Sequence, residues 1–376
     1  MIISKISLEE KPTRSYSVSR LKTYQECSYK YYNQYIQKIK VNSFSESTLM
    51  GSIIHSALEY LYSDSCPDDV DYLIDALDRT SSSSLVQLSI VPEDKALYLN
   101  SLLWDYAQDI LVLYHRASSD YSGDDPIRKA DGSIASNPQM TSGWKKAEKE
   151  LNLSERRYSI DSFVIDFNPD FYSISICSLF CDAFNICRKY RTPKEILEVV
   201  SVEMPLSHWD SNTHQLLNPV LMPEEFGGKE GIFLNGYIDM VCKVLLDGQE
   251  VLALVDHKSS KSAFDSDGVA YNRQLLAYAY AYHQLTGTKI QAIGINNLRS
   301  NTLVLSPIDD SIMQSSLYNL FFSHNMIQSE VFIKTIPEDS YSKCTSSYGK
   351  PCPFLHVCYP HLYNKLLNTS SYSFSA

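Results

Sequence analysis

Hydrophobic positions follow two different periods along the chain. Ile53, Ile54, Ala57, Leu58 and Leu61 fall on one helical stripe and predict a helix over Ile53–Tyr62. His55 and Glu59, four residues apart, share a face of it. Upstream, Ser19 is placed to cap a helix that starts at Arg20. Residues 63–160 read as mostly helical and polar, with helices over Val70–Leu77 and Glu93–Tyr114 and a short loop at Ser81–Ser84. A longer loop, rich in Gly, Pro, Asp and Ser, covers Tyr121–Gly143. The apolar run around Ile174–Ile186 reads as a buried helix.

From Glu195 the pattern changes. Glu195–Met204 reads as a strand, and 207–230 as a long loop holding Pro219, Pro223 and Gly227-Gly228. Ile232–Leu246 and Glu250–His257 are two strands on either side of Asp247-Gly248, a dipeptide suited to a two-residue hairpin turn. Val269–Leu285 is helical, Lys289–Leu298 and Thr302–Leu305 are strands, and Asp309–Met326 is a helix. The Ser/Tyr-rich end, Asn368–Ala376, is expected to be disordered. Strands and helices in this order predict an α/β fold.

Composition narrows the function classes. Of 376 residues, 44% are hydrophobic and 20% charged, as in ordinary globular chains. The net charge of −11 excludes diffuse attraction of nucleic acid to the whole surface, but not a local basic channel. Residues 11–40 supply such a candidate. Lys11, Arg14, Arg20, Lys22, Lys30, Lys38 and Lys40 stand against one acid, Glu26, and are interleaved with Tyr16, Tyr24, Tyr29, Tyr31, Tyr32 and Tyr35. Cations with aromatics suit phosphate contact plus base stacking, so Arg20, Lys22, Tyr24 and Lys30 are DNA-binding candidates. The competing reading is an amphipathic helix with inward tyrosines and solvated lysines, and both can hold at once. Met1–Glu10 lacks the apolar core of a secretory signal. The most apolar stretch, Leu102–Tyr114, is interrupted by Asp105 and Asp109, so no membrane span is expected. Nine scattered cysteines without a signal peptide predict a reduced, cytoplasmic chain whose thiols are free or bind metal.

The hairpin carries the strongest chemical signal. Gly236-Tyr237-Ile238-Asp239 lies on its first strand, and Leu252–Val255 runs into Asp256-His257-Lys258 on the second. Period-two alternation puts Asp256 and Lys258 on one face, within reach of Asp239 on the neighbouring strand. Two converging carboxylates suit a hard cation, Mg²⁺ or Mn²⁺, which acidifies bound water and neutralises phosphoryl charge. Lys258 is then placed to orient the attacking water or stabilise the transition state. A surface Asp–Lys pair at a strand end is the plainer alternative. Downstream, Gln274 and Tyr278 are four apart on one helix face and can hold the water or a phosphate.

These elements together resemble the RecB-like branch of the PD-(D/E)XK nucleases, including CRISPR-associated RecB-like exonucleases and the AddB nuclease domain. Ser17–Leu21 with Tyr24 and Cys27 resembles the family's first helix, and Gly51–His55 its G-x-x-x-H motif. Glu203 sits where the family often has a Glu before the hairpin. Gly236–Asp239, Asp256–Lys258 and Gln274–Tyr278 resemble G-x-x-D, D-x-K and Q-x-x-x-Y. The resemblance implies a restriction-endonuclease-like central mixed sheet flanked by helices. It implies His55, Asp239, Asp256 and the backbone carbonyl of His257 as metal ligands, Lys258 as catalytic, and Gln274 and Tyr278 in support. It further implies a deoxyribonuclease, exonucleolytic, acting on single-stranded DNA or duplex ends in replication, recombination or repair. No GxxxxGK[ST] motif occurs, so an unwinding helicase would be a separate recombination partner. A non-catalytic DNA-binding or assembly subunit on the same fold is the alternative.

In the same family one N-terminal and three C-terminal cysteines hold a [4Fe-4S] cluster. Cys27 with Cys344, Cys352 and Cys358 corresponds to that set, with Zn²⁺ as the alternative occupant. The first C-terminal gap is longer than the family's usual C-x2-C-x5-C. Cys177, Cys181 and Cys187 form a competing series in the apolar helix, where burial is the expected role. Cys66 and Cys242 are expected to be structural. The division expected is 1–62 for N-terminal helices of the nuclease domain, 63–194 for a helical insertion, 195–335 for the nuclease core, 336–363 for the Cys-rich cluster segment and 364–376 for a tail.

Overall fold

The computed structural model describes residues 1–8, 15–39, 46–63, 66–67, 69–88, 90–162, 175–226, 231–334, 344 and 352–362. The tail expected from residue 364 and most of the Cys-rich segment lie outside them. In chain order the elements are β1 (Lys5–Ser7), β2 (Ser15–Ser17), α1 (Val18–Glu26), α2 (Ser28–Tyr31), α3 (Glu46–Leu61), α4 (Leu73–Gln87), α5 (Glu93–Arg116), α6 (Ser142–Glu150), α7 (Leu153–Asp161) and α8 (Ile176–Lys189). They continue with β3 (Ile196–Leu206), β4 (His208–Asp210), β5 (Gln215–Leu217), β6 (Phe233–Leu246), β7 (Gln249–Lys258), α9 (Ser266–Ala270), α10 (Arg273–Thr286), β8 (Ala292–Asn297), β9 (Thr302–Pro307), α11 (Asp310–Gln328) and α12 (Leu355–Cys358). Two compact units result: Met1–Ser43 with Thr192–Ala376, and Phe44–Arg191.

The first unit is an α/β unit built on a mixed sheet. Its strand order is β2-β6-β7-β8-β9, with β3 also paired to β6. β2/β6 and β7/β8 are parallel, whereas β3/β6, β6/β7 and β8/β9 are antiparallel. The β6–β7 hairpin closes through Asp247 (φ 51) and Gly248 (φ 80), both left-handed as a twisted two-residue turn requires. That turn fixes the register Met240↔Val255, and a one-residue slip would exchange the two faces. Leu275, Leu276 and Ala279 of α10 and Leu320 and Phe321 of α11 bury against Ile238, Leu254 and Ile293 of the sheet. At about 25 cal/mol per Å² of apolar area, this burial is the main source of the sheet's stability.

Three local readings are corrected here. The helix cap is Ser17, whose Oγ accepts the Arg20 N–H at 3.1 Å, so the helix starts at Val18. The expected loop 207–230 contains β4 and β5, and β5 pairs on one side with β4 and on the other with β1 in a small antiparallel sheet. The expected helix 269–285 is two helices, because Asn272 caps the second through the N–H groups of Gln274 and Leu275.

The second unit is helical. Trp104 of α5 meets Phe184 and Phe180 of α8 edge-on, with ring centroids 5.0 and 5.9 Å apart. The loop expected at Ser81–Ser84 is instead the last part of α4. Serines there remain satisfied inside a helix: Ser81 donates to Asn100 at 2.7 Å across to α5, and Ser84 to the Thr80 carbonyl. Cys177 and Cys187 are fully buried, and burial pushes the Cys181 thiol up to about 12, so this trio behaves as apolar packing. Among the described residues no helix is long and apolar enough to cross a membrane.

Candidate metal centre

β7 delivers Asp256 and Lys258 to one face, as strand alternation demands. Lys258 Nζ lies 2.6 Å from Asp256 Oδ2. Asp256 is 5% exposed, so its charge must be compensated locally, and the half-exposed Lys258 ammonium does so. Extending the hairpin register by one step places Asp239 opposite Asp256. Asp239 Oδ2 accepts the His257 backbone N–H at 2.9 Å, which ties the end of β7 to the middle of β6. The His257 side chain turns the other way. Its buried ring lies 3.2 Å, Nδ1 to Nδ2, from Asn296 on β8, which leaves the backbone as its contribution at the strand end.

A third carboxylate joins from β3. Val202↔Met240 and Met204↔Ile238 flank Glu203, setting it beside Asp239, and a carboxylate oxygen of each lies within 4.8 Å. Glu203 has φ 42, a left-handed conformation that costs a non-glycine residue about 1–2 kcal/mol. No sequence rule forecasts this backbone conformation. Replacing Glu203 by Asn, which tolerates this conformation, is expected to keep or raise the metal-free melting temperature. Mn²⁺ affinity should meanwhile fall by about tenfold or more. Calorimetric titration and a melting curve on one preparation check both, and an unchanged affinity would refute a ligand role.

Tyr278 on α10 completes this side. Burial raises the pKa of its hydroxyl above the ordinary tyrosine value. Asp239, Asp256 and Glu203 nearby add to the rise, and a hydrogen bond from the Tyr237 backbone opposes it. The phenol therefore stays protonated at neutral pH and can donate. A Cβ on Gly236 would sit 2.7 Å from that hydroxyl, and Gly236 has φ +154. Glycine in the G-x-x-D segment is thus required by a side chain some forty positions away in sequence. Gly236→Ala is expected to cost about 1–3 kcal/mol by overpacking. Tyr278→Phe in the same chain should recover part of the loss. A wild-type melting temperature for the single variant would contradict this reading. Gln274, half-buried, lies one helical turn before Tyr278. His55, half-buried, stands on α3 of the helical unit.

The basic, tyrosine-rich segment divides by role. Tyr24 is buried and donates to the Val331 carbonyl at 2.5 Å, so its ring serves the core and not a base. Arg20 Nε donates to the Tyr31 hydroxyl at 3.0 Å, with its guanidinium within 5.4 Å of the Tyr16, Tyr31 and Tyr35 ring centres. Those cation–π contacts give Arg20 a packing role. Lys22 lines an open cavity of about 400 Å³ with Gln25, Tyr271 and Arg273, and is the phosphate candidate that stays presented to solvent. Lys30 is within 3.8 Å of Glu26 and borders the cysteine site described next.

Cys27, Cys344, Cys352 and Cys358 line a single small cavity, closed by Phe354 and Leu355. Cys27 caps α2, its sulfur accepting the Lys30 N–H at 3.4 Å, and Asn33 Nδ2 donates to Cys358 Sγ at 3.5 Å. The Cys344 carbonyl accepts the Cys352 N–H. Burial pushes the Cys358 thiol up to about 11, with the Cys352 and Cys27 thiols adding to it. Lys334 Nζ sits 4.5 Å from the Tyr359 ring centre at the cavity edge, a cation beside the sulfurs. Among the described residues none of the four is joined in a disulfide.

The family model describing the PD-(D/E)XK nuclease superfamily matches residues 15–122 and 182–359, which include β2, β3, the β6–β7 hairpin, α10 and the four clustered cysteines. No curated protein matches the chain.

Proposed function

Because the chain belongs to the PD-(D/E)XK nuclease superfamily, we propose that it is a metal-dependent deoxyribonuclease, exonucleolytic, acting on single-stranded DNA or duplex ends in replication, recombination or repair. The observation that carries this reading is Glu203 beside Asp239, and Asp256 paired with Lys258, where β7 ends against the middle of β6. Oxygen donors in that number suit Mg²⁺ or Mn²⁺ and not a soft metal. The buried Oδ2 of Asp256 has no well-formed hydrogen bond among the described residues, only the Lys258 ion pair, so an acceptor there is left for a cation. Such an ion, when bound, acidifies a water and neutralises the phosphoryl oxygens.

The chain's own groups do the rest. Asp239 and Asp256 would hold the ion, Glu203 adjoins them, and the resemblance assigns His55, through G-x-x-x-H, and the His257 carbonyl, through D-x-K, to the same ligand set. Lys258 presents its ammonium to the water or to the charge that develops on phosphorus. Tyr278, protonated, donates toward the acids, and Gln274 on the same helix face positions water or phosphate. Lys22 offers a phosphate contact, screened by salt as such contacts are. A helicase or recombination protein is the partner this reading implies.

The four cysteines about one cavity support a [4Fe-4S] cluster. Four thiolates on one zinc, at about 2.3 Å each, would bring the sulfurs to about 3.8 Å from one another. The four sulfurs about the cavity could bind either group, and the family resemblance favours the cluster. The Asn33 amide and the Lys30 and Lys334 cations would offset the charge of thiolates there.

The test is cleavage of end-labelled single-stranded and duplex DNA with Mn²⁺, with Mg²⁺ and with chelator. Metal-dependent shortening from an end is expected. A protein that binds these strands but cuts neither under any metal would establish the non-catalytic alternative.

A further inference from the structure

Tyr237 stands two residues before Asp239 on β6. Strand alternation therefore sets both side chains on one face, about 7 Å apart along the strand. Tyr237 is 44% exposed, yet it is held: its hydroxyl lies 2.7 Å from His208 Nδ1 on β4, with the two rings 5.7 Å apart. The next residue of β4, Trp209, is braced edge-on by His214 at 5.8 Å. Tyr237, His208, Trp209 and Phe233 line a cavity of about 310 Å³. Its wall includes Gly236, the residue against which the Tyr278 hydroxyl packs. The cavity thus opens beside the acids within one sheet unit.

Among the described lining residues none is Lys or Arg, and the polar side chains are the neutral ones of Ser15, Ser207, Asn235, Trp209 and Tyr237 with the His208 ring. Such a lining disfavours phosphate and favours a flat, neutral, hydrogen-bonding ring. An exposed aromatic fixed at its hydroxyl loses little entropy when a second ring stacks on it. We propose that this cavity takes an unpaired nucleobase of the strand being cleaved, on the nucleotide next to the phosphate at Asp239 and Asp256. Tyr237 is the stacking surface, and His208 is the residue that positions it. A base seated there has left its duplex, so the pocket selects single strands or frayed ends. The inference rests on the acid cluster being the cleavage centre, and it adds the part of the substrate that is recognised.

The experiment compares full-length protein binding a fluorescent single-stranded oligonucleotide and the same strand made of abasic residues, with Ca²⁺ in place of Mn²⁺. Wild type should prefer the base-bearing strand by about tenfold or more. Tyr237→Ala should lose that preference and leave the abasic affinity as it was. Tyr237→Phe, which keeps the ring, should retain most of the preference, and His208→Ala should fall between. A folded Tyr237→Ala protein with the wild-type preference overturns the pocket assignment, even if Mn²⁺-dependent cleavage is intact. Wild-type protein with a Tyr237-dependent preference but no cleavage would retire the nuclease reading and keep the pocket. A wild type that binds both strands equally overturns the pocket.

Discussion

Asp256→Asn is expected to lower Mn²⁺-dependent DNA cleavage by at least about a thousandfold, which corresponds to about 4 kcal/mol of transition-state stabilisation. The side chain keeps its shape and loses the charge that a cation needs. The fold should not suffer. Glu203 and Asp239 set like charges beside Asp256, which Lys258 faces as a counter-charge. Neutralising one acid relieves repulsion in the metal-free protein, so its melting temperature should stay level or rise. Wild type should gain stability as Mn²⁺ is added, because a ligand that binds the native state alone stabilises it, and the variant should gain less. Lower activity, undiminished metal-free stability and a blunted metal response together mark a metal ligand. A variant that cleaves at the wild-type rate would remove Asp256 from the centre, and one that unfolds would mark it as structural. Lys258→Ala should share the loss of cleavage while keeping the metal-induced shift, since an ammonium does not bind a cation.

The centre's skeleton was legible in sequence because it depends on local rules. Asp247-Gly248 can close a hairpin almost only one way, and alternation then places Asp256, Lys258 and Asp239 without further information. What sequence did not reveal depends on residues far apart along the chain. Gly236 and Glu203 stand in recognisable motifs, but the need for glycine at 236 comes from the Tyr278 hydroxyl, and the left-handed backbone of Glu203 comes from the fold. The split of α9 from α10 rests on Asn272, whose side chain caps the second helix inside a stretch that reads as one. The 207–230 segment looked like a loop because β4 and β5 are three residues each, too short for alternation to register. The tyrosines of residues 16–35 illustrate a different limit. Composition shows that aromatics and cations alternate, but burial decides that Tyr24 and Arg20 serve packing and that Lys22 faces solvent. His208 and Trp209 carried no motif, and only the cavity they share with Tyr237 draws attention to them.

Cys358→Ser is expected to abolish the brown colour of anaerobically purified protein and to lower its melting temperature by on the order of 10 °C. Cys27 and Cys344 are 344 − 27 = 317 positions apart, so a group bound by both ties the two ends of the chain together. The chain-entropy relation for a covalent cross-link over a loop of that length gives about 5–6 kcal/mol. A chain of this size shifts by about 2–4 °C per kcal/mol, which sets the scale of the loss. The Cys358 thiol is pushed up to about 11, so without a bound group it is protonated at neutral pH. The apo cavity then offers little beyond ordinary apolar packing, and most of the stability should depend on the ligand. Cys242→Ser is the control. That thiol is buried in β6, outside the four-cysteine cavity, and its replacement should cost packing but no colour. Iron and sulfide near four each per chain in wild type, lost in Cys358→Ser and kept in Cys242→Ser, are the expected analysis. Colourless wild type carrying one zinc would replace the cluster by a zinc knot while preserving the staple. Cys358→Ser protein with wild-type colour and melting temperature would end both assignments.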